Sequence, residues 1–491
     1  VSSEAQVELR ALARSLAVLL SIVSAFMAAC LAAGVALGEF GVALRSFGPG
    51  VAAGLLLLLF GLYQGKRRGK LSLSTRGGYL FVVLAWVLAA ALGAMPFVLS
   101  GAVPSWVDAY FESISGFTTT GASILTDIEA LPRSLLLWRA TTHWLGGMGI
   151  VVLTVAVFPL LGIGGRALME AEAPGPQVDK FTPRLSDTAK ILWLIYLGLT
   201  VAQTALLMFG GMDLVDAVCH AFATMATGGF STRNASLGAY GSAYIEWVTV
   251  AFMVLAGMNF AVHFKFLRLD FSPLAKDGEL RAYLTIFLSS VALITVALLR
   301  AGSYGSGADA LRGAAFQAAS ILTTTGFATA DYLLWPALAQ AALFALMFVG
   351  GCAGSTGGGL KVGRVVTLFK MGLSEMRYLT NPRGVYGIFM NGQYLKKNIV
   401  YDIAAMVFLF FVAAIVSTVV VASGGYDIIT SLSATLACVG NIGPGFGQVG
   451  PALNYAPLPD YIKGWLSFMM LLGRLEIYTV LIIFTRSFWR A

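Results

Sequence analysis

Apolar positions along this 491-residue chain fall into long runs, with much shorter apolar segments set between them. Runs at residues 16–38, 50–63, 79–100, 134–161, 191–210, 243–266, 283–299, 399–422 and 461–484, with one that starts at Ala337 and breaks at Gly350, predict ten membrane spans. Four further segments begin at a carboxylate, Asp108, Asp216, Asp309 or Asp427, and run only about 12 to 17 residues to a Thr- or Gly-rich stretch. That is too short to cross a bilayer and return, so each predicts a half-helix that enters the membrane and turns back. The acidic residue at each start is expected to cap free N–H groups at the positive end of the helix dipole.

The stretches that follow these half-helices are variants of one theme. They read Phe117-Thr118-Thr119-Thr120-Gly121-Ala122, Met225-Ala226-Thr227-Gly228-Gly229, Thr323-Thr324-Thr325-Gly326-Phe327 and, more loosely, Val439-Gly440-Asn441-Ile442-Gly443-Pro444-Gly445. Successive copies lie roughly 100 residues apart, a longer period than solenoid repeats, so each marks a domain-sized unit. The predicted fold is all-α and integral to a membrane: four tandem helix–pore loop–helix repeats in pseudo-fourfold arrangement, plus two extra N-terminal spans. Residues 1–77 carry the extra spans and a basic loop, 78–187 the first repeat, 188–280 the second, 281–397 the third with an intramembrane loop, and 398–491 the fourth. A lone Thr-Thr-Gly is most simply a small-residue helix contact. Four copies, each after a half-helix between full spans, call for another explanation.

Backbone carbonyls from four segments meeting on one axis can replace the water shell of a potassium ion with rings of oxygens. Glycine adopts backbone angles other residues resist and lets neighbouring segments approach the axis. Threonine adds a hydroxyl oxygen, and half-helices aim their negative ends at the ion. Irregular backbone at this depth is tolerable only where it is buried or lines a water-filled path.

Composition supports a membrane setting: 58% of residues are hydrophobic and only 11% charged, outside the range of ordinary soluble domains. The 56 glycines suit close helix packing and backbone that lines a cavity. A net charge of +8 does not imply nucleic acid, because the basic residues are scattered over many short loops. Their distribution sets an orientation. With both termini inside and the half-helices entering from outside, Arg45, Arg133, Arg139, Arg233, Arg300, Arg312 and Lys463 fall outside, Arg474 lies within a span, and the other 24 of 32 basic residues lie inside. Met27-Ala28-Ala29-Cys30 is faintly like a lipoprotein cleavage site, but further spans follow at once, which favours a membrane helix. Cys30, Cys219, Cys352 and Cys438 show no Cys-x-x-Cys pairing, so neither a transition metal nor a disulfide is expected. His143, His220 and His263 are scattered, no catalytic set converges, and an enzyme is not expected. Glu112, inside the first half-helix, is expected to tie that helix to neighbouring backbone.

Two further features bear on a pore. The segment Gly350-Gly351-Cys352-Ala353-Gly354-Ser355-Thr356-Gly357-Gly358-Gly359 interrupts an apolar run, and at about 1 kcal/mol per glycine a helix there would lose several kcal/mol. It is expected to open into a loop below the third stretch; a passive kink is the alternative. The segment lacks the Gly-Lys-Ser/Thr ending of a phosphate-binding loop, and Gly445-Phe446-Gly447-Gln448-Val449-Gly450 matches a dinucleotide fingerprint by letter only. Arg474 falls near the middle of an apolar run, where a cation costs about 2.5–3.5 kcal/mol by insertion scales. It is expected to face the pore or another helix, or to pair with a buried carboxylate.

These stretches, the Gly-rich interruption and Arg474 resemble the TrkH/KtrB family of bacterial and archaeal potassium-uptake proteins over nearly the whole chain, and the two extra spans resemble its TrkH branch. The resemblance implies a potassium filter formed by Thr119, Thr120, Gly121, Ala226, Thr227, Gly228, Thr324, Thr325, Gly326, Asn441, Ile442 and Gly443. It implies a gate formed by Gly350, Gly351, Gly354, Ser355, Thr356, Gly357, Gly358 and Gly359 together with Arg474. Plant relatives with Ser at the position matching Gly121 tend to favour sodium, so glycine there points to potassium. The resemblance also implies a homodimer in the cell membrane and a cytoplasmic TrkA/KtrA-type nucleotide-binding ring subunit that docks on inner loops such as 170–190 and 370–397. Nucleotide would bind only that partner, and potassium in the pore would be the cargo, with no covalent cofactor. The alternatives are the potassium-translocating subunit of an ATP-driven pump, or sodium- or proton-coupled symport.

Overall fold

The computed structural model describes residues 3–65, 73–149, 185–391 and 393–490. The chain is built almost wholly of helices. Two long helices come first, α1 (Ser3–Ala36) and α2 (Phe40–Gly65), packed against each other. Next come α3 (Thr75–Leu99), the short α4 (Trp106–Phe117) and α5 (Arg133–Gly147). A second set consists of α6 (Leu185–Phe209), the short α7 (Leu214–Met225), α8 (Ala243–Ala256), α9 (Phe260–Leu267) and α10 (Ser272–Lys276). The third is α11 (Gly278–Arg300), the half-length α12 (Gly307–Leu322), α13 (Ala337–Leu346) and α14 (Val362–Thr380). The last is α15 (Lys397–Ala422), the short α16 (Ile428–Val439), α17 (Asp460–Arg474), α18 (Tyr478–Leu481) and α19 (Arg486–Arg490). Among the described residues the all-α expectation has one exception: Phe389–Met390 and Gln393–Tyr394 form a small antiparallel hairpin.

Six of these helices are long and apolar enough to cross a membrane, or eight if each of two bent pairs counts as one span. Leu56, Phe408 and Ile415 stand well exposed on such helices, as lipid-facing side chains do. The run predicted at 134–161 is helical only to Gly147, followed by Gly149 at φ 70, and its remainder lies outside the described residues, as does most of the segment 170–190.

Two further runs predicted as continuous spans are sharply bent. α8 and α9 meet at 105°, and α17 meets the segment Tyr478–Phe484 at 114°. At the first break Gly257 ends one helix and Asn259 caps the next, accepting the Ala261 N–H at 2.8 Å. At the second, Glu476 and Ile477 both take left-handed backbone (φ 58 and 56), which a β-branched residue resists. Arg474 therefore sits at the end of a helix, at the break.

The four short helices are capped, but mostly not by the expected carboxylates. Ser105, Asp213 and Ser306 accept the N–H groups of Asp108, Asp216 and Asp309, so those three acids lie in the first turn; only Asp427 is itself the cap. The acids still favour the positive helix end. Each short helix packs on the long helices of its own set. Three also receive a helix from the set before, α5 against α7, α8 against α12 and α17 against α4, which closes the sets into a ring. Ion pairs mark the same three seams: Arg133 with Asp213, Arg312 with Glu246 and Lys463 with Asp108.

Candidate pore and gate

At the inner end of each short helix the backbone turns in the same way. One residue is left-handed, Thr119 (φ 53), Thr227 (φ 54), Thr324 (φ 57) or Asn441 (φ 52). The next residue donates its N–H five residues back: Thr120 to Ser115, Gly228 to Ala223, Thr325 to Ser320 and Ile442 to Ala437, at 2.8–2.9 Å. This is the helix ending that usually carries glycine at the left-handed position. Placing β-branched threonine there costs about 1–2 kcal/mol per residue. The conformation turns the chain so that a glycine follows two residues later, again with positive φ: Gly121 (81), Gly229 (81), Gly326 (86) and Gly443 (96).

This pattern corrects the second stretch by one residue. Gly229, not Gly228, matches Gly121, Gly326 and Gly443, while Gly228 matches Thr120, and Ala226 is the helix cap that matches Thr118. Adjacent glycines make the two registers look alike in sequence, and only the sign of φ separates them.

The four turns meet. A Cβ placed on Gly121 would collide with the carbonyl oxygen of Gly228, one on Gly229 with that of Thr325, and one on Gly326 with that of Ile442. One on Gly443 would come within 2.7 Å of the Thr120 carbonyl oxygen, which closes the circuit. Each glycine thus makes room for the neighbouring loop, first to second, second to third, third to fourth and fourth to first. Asn441 Nδ2 also donates to Thr120 Oγ1 at 2.9 Å, tying the fourth loop to the first. Thr119, Thr120, Thr227, Thr324, Thr325, Asn441 and Ile442 are all buried. Above them lies a cavity of about 150 Å³ lined by the four glycines together with Ser123, Arg139, Asn234 and Tyr455.

Side chains behind the loops hold them in place, and most carried no signal in the sequence reading. Glu112 lies against Arg139 at 2.6 Å and accepts the Ile124 N–H at 3.0 Å, so it does tie its helix to backbone. Arg139, assigned to the outer side by charge counting, is buried; it donates to the Ser231 carbonyl and lies 3.6 Å over the Phe230 ring. His143 stacks on Phe230 and accepts its N–H through Nε2 at 3.2 Å, which leaves the proton on Nδ1 facing the Gly116 carbonyl at 2.7 Å. His220 Nε2 meets Ser231 Oγ at 2.8 Å. The available signal is positional: Glu112, His220 and Gln317 each precede the left-handed residue by the same interval. In the fourth loop, tyrosines take over, Tyr455 donating to the Gly443 carbonyl and Tyr332 to that of Gly445. At the outer end of that set, the Thr430 hydroxyl and N–H hold the Asp427 carboxyl below the usual carboxylate range.

Beneath the ring lies the Gly-rich loop. Its base is closed by Gly350 N–H to the Leu360 carbonyl at 2.7 Å and Val362 N–H to the Gly351 carbonyl at 3.1 Å. Gly354 and Gly359 have positive φ (72 and 65), the Gly354 carbonyl accepts from Phe260, and Ser355 bonds back to Cys352. The Gly358 N–H donates to Thr324 Oγ1 at 2.7 Å, and a Cβ on Gly357 would approach the Thr323 carbonyl oxygen at 3.1 Å. Arg474 reaches the same place. Its guanidinium donates to Thr119 Oγ1 (3.1 Å), to the Thr356 carbonyl (2.8 Å) and to the carbonyls of Gly146 and Gly147 (2.6 and 2.9 Å). The first Thr/Gly loop, the Gly-rich loop and the end of α5 are thus joined by one cation. Glu476, two residues along, pairs with Arg364 instead.

The family model for TrkH, described as a cation transport protein, matches residues 52–490. The chain is 41% identical to the Trk system potassium uptake protein TrkH of Salmonella typhimurium, over 87% of this chain and 89% of that one. It is 42% identical to TrkH of Vibrio parahaemolyticus, over 87% of this chain and 88% of that one. The crystal structure of the potassium transporter TrkH from Vibrio parahaemolyticus superposes with a TM-score of 0.86 at 37% identity, covering 98% of this chain and all of that one.

Proposed function

Because this chain belongs to the TrkH family of cation transport proteins, we propose that it carries potassium across the cell membrane through the ring of four loops. The relatives are transporters and not enzymes. The observation that carries the reading is the closed circuit in which each glycine abuts a carbonyl of the next loop. Four strands held that closely can present their carbonyls to a common axis and replace the water around a monovalent cation. The filter comprises Thr119, Thr120 and Gly121, Thr227, Gly228 and Gly229, Thr324, Thr325 and Gly326, and Asn441, Ile442 and Gly443.

The Gly-rich loop and Arg474 form the gate. Two donors, the Gly358 N–H and the Arg474 guanidinium, already hold Thr324 Oγ1 and Thr119 Oγ1 on the inner side, and the fixed positive charge opposes a cation leaving the filter. Opening requires both to move. In this reading the filter faces outward, both termini are cytoplasmic, and the protein works as a homodimer under a cytoplasmic nucleotide-binding ring subunit. The basic segment at 370–397, with its small hairpin, is available for docking.

Rubidium flux into liposomes tests this. The wild-type chain is expected to pass rubidium down its own gradient without a sodium or proton gradient, and Arg474→Ala to raise the resting rate on the order of tenfold by removing charge-assisted bonds to the loop. Sodium flux equal to that of rubidium would contradict the filter. A resting rate unchanged by Arg474→Ala at equal incorporation would contradict the gate.

A further inference from the structure

A carboxylate that no pore function has absorbed grips both limbs of the Gly-rich loop. Glu279, in the first turn of α11, accepts the Ala353 N–H at 2.8 Å and the Gly363 N–H at 2.9 Å through the same oxygen. Ala353 lies on the descending limb, and Gly363 lies where the ascending limb enters α14. The backbone bonds between Gly350 and Leu360 and between Gly351 and Val362 close the base of the loop, and Glu279 bridges it from outside. The geometry is specific to small residues: a Cβ on Gly363 would fall 2.9 Å from the Glu279 oxygen. Glu279 is itself held, because Asp277 Oδ1 accepts the N–H groups of Glu279 and Leu280 at 2.9 and 3.1 Å.

We infer that Glu279 is a positioning residue for the gate, a staple that keeps the Gly-rich loop in its blocking conformation. The inference rests on the proposed gating role of that loop. Opening the loop separates Ala353 from Gly363, so it must break at least one of the two bonds to Glu279. Hydrogen bonds to an ionised group are the stronger kind, and two of them on one carboxylate bias the loop toward closure. Glutamine keeps an acceptor oxygen but loses the charge; alanine loses both. The competing reading is that Glu279 merely satisfies a free N–H at the start of α14, in which case its loss lowers stability without freeing the loop.

The loop contains its own reporter. Cys352 lies one residue before Ala353, is buried, and donates its N–H to the Gly257 carbonyl. In a chain whose other cysteines, Cys30, Cys219 and Cys438, are replaced by alanine, maleimide labelling of Cys352 reads loop opening independently of ion movement. Glu279→Ala is expected to speed labelling about tenfold and Glu279→Gln by less, with resting rubidium flux rising in the same order. If labelling quickens while flux stays at the wild-type value, the staple stands and the loop is not the gate. If labelling is unchanged in protein that elutes as a single species, the staple is wrong whatever the flux. Should the alanine variant not fold, the glutamine variant carries the same two outcomes at smaller magnitude.

Discussion

Glu112 and Arg139 place a full ion pair beside the mouth of the cavity above the four loops, at 0% and 3% exposure. Desolvating two charges is costly, and the surrounding bonds offset that cost: Ser123 and the Ile124 N–H on the carboxylate, the Ser231 carbonyl and the Phe230 ring on the guanidinium. Removing one partner leaves the other buried and unmatched. Glu112→Ala is expected to destabilise the protein by about 3–5 kcal/mol, and the double change Glu112→Ala with Arg139→Met by less than Glu112→Ala alone. Thermal unfolding in detergent measures both; a Glu112→Ala loss under about 1 kcal/mol would mean that the pair does not brace the mouth. The left-handed threonines are a second residue-scale cost. Thr119, Thr227 and Thr324 adopt backbone that glycine would take more readily, and in two cases their hydroxyls accept a bond, Thr119 from Arg474 and Thr324 from Gly358.

Among elements, the half-helices depend on their caps. Ser306 Oγ accepts the Asp309 N–H at 3.1 Å at the start of α12. Ser306→Ala is expected to cost about 1 kcal/mol and to speed hydrogen exchange at the Asp309 amide. Exchange that stays as slow as in the wild type would show that the cap adds nothing there. Spacing in the sequence placed these short helices well, because a carboxylate, a half-length apolar segment and a Thr/Gly stretch recur in order. It did not place the cap, since serine three residues before an acid is unremarkable without coordinates. The two bent spans were also hidden. Hydropathy averages over a window longer than the break at Gly257-Met258-Asn259 or at Leu475-Glu476-Ile477, so each pair read as one helix. Arg474 and the Gly-rich loop stood out because a charge and a glycine cluster are both costly in an apolar run. Their partners did not, because Arg474 meets Thr119 and Gly146 across more than three hundred residues. Glu279 drew no notice in the sequence, because the two amides it accepts from lie 74 and 84 residues away.

At the scale of the whole molecule, four similar units share one centre but not one kind of seam. Helices α5, α8 and α17 each press on the short helix of the next unit and carry an ion pair to it. Between the third and fourth units Phe344 of α13 and Tyr332, just before it, pack on Phe446, in the loop after α16, and Arg364 pairs with Glu476. That third unit is also the one whose second span opens into the Gly-rich loop. What unites the four is the ring itself, where each glycine leaves space for a carbonyl of its neighbour. Anomalous scattering from crystals grown in rubidium tests that ring most directly. The proposed filter predicts rubidium peaks on the axis enclosed by Thr119, Thr227, Thr324 and Asn441 and by Gly121, Gly229, Gly326 and Gly443. An axis without rubidium, in crystals where the ion binds elsewhere on the protein, would contradict it.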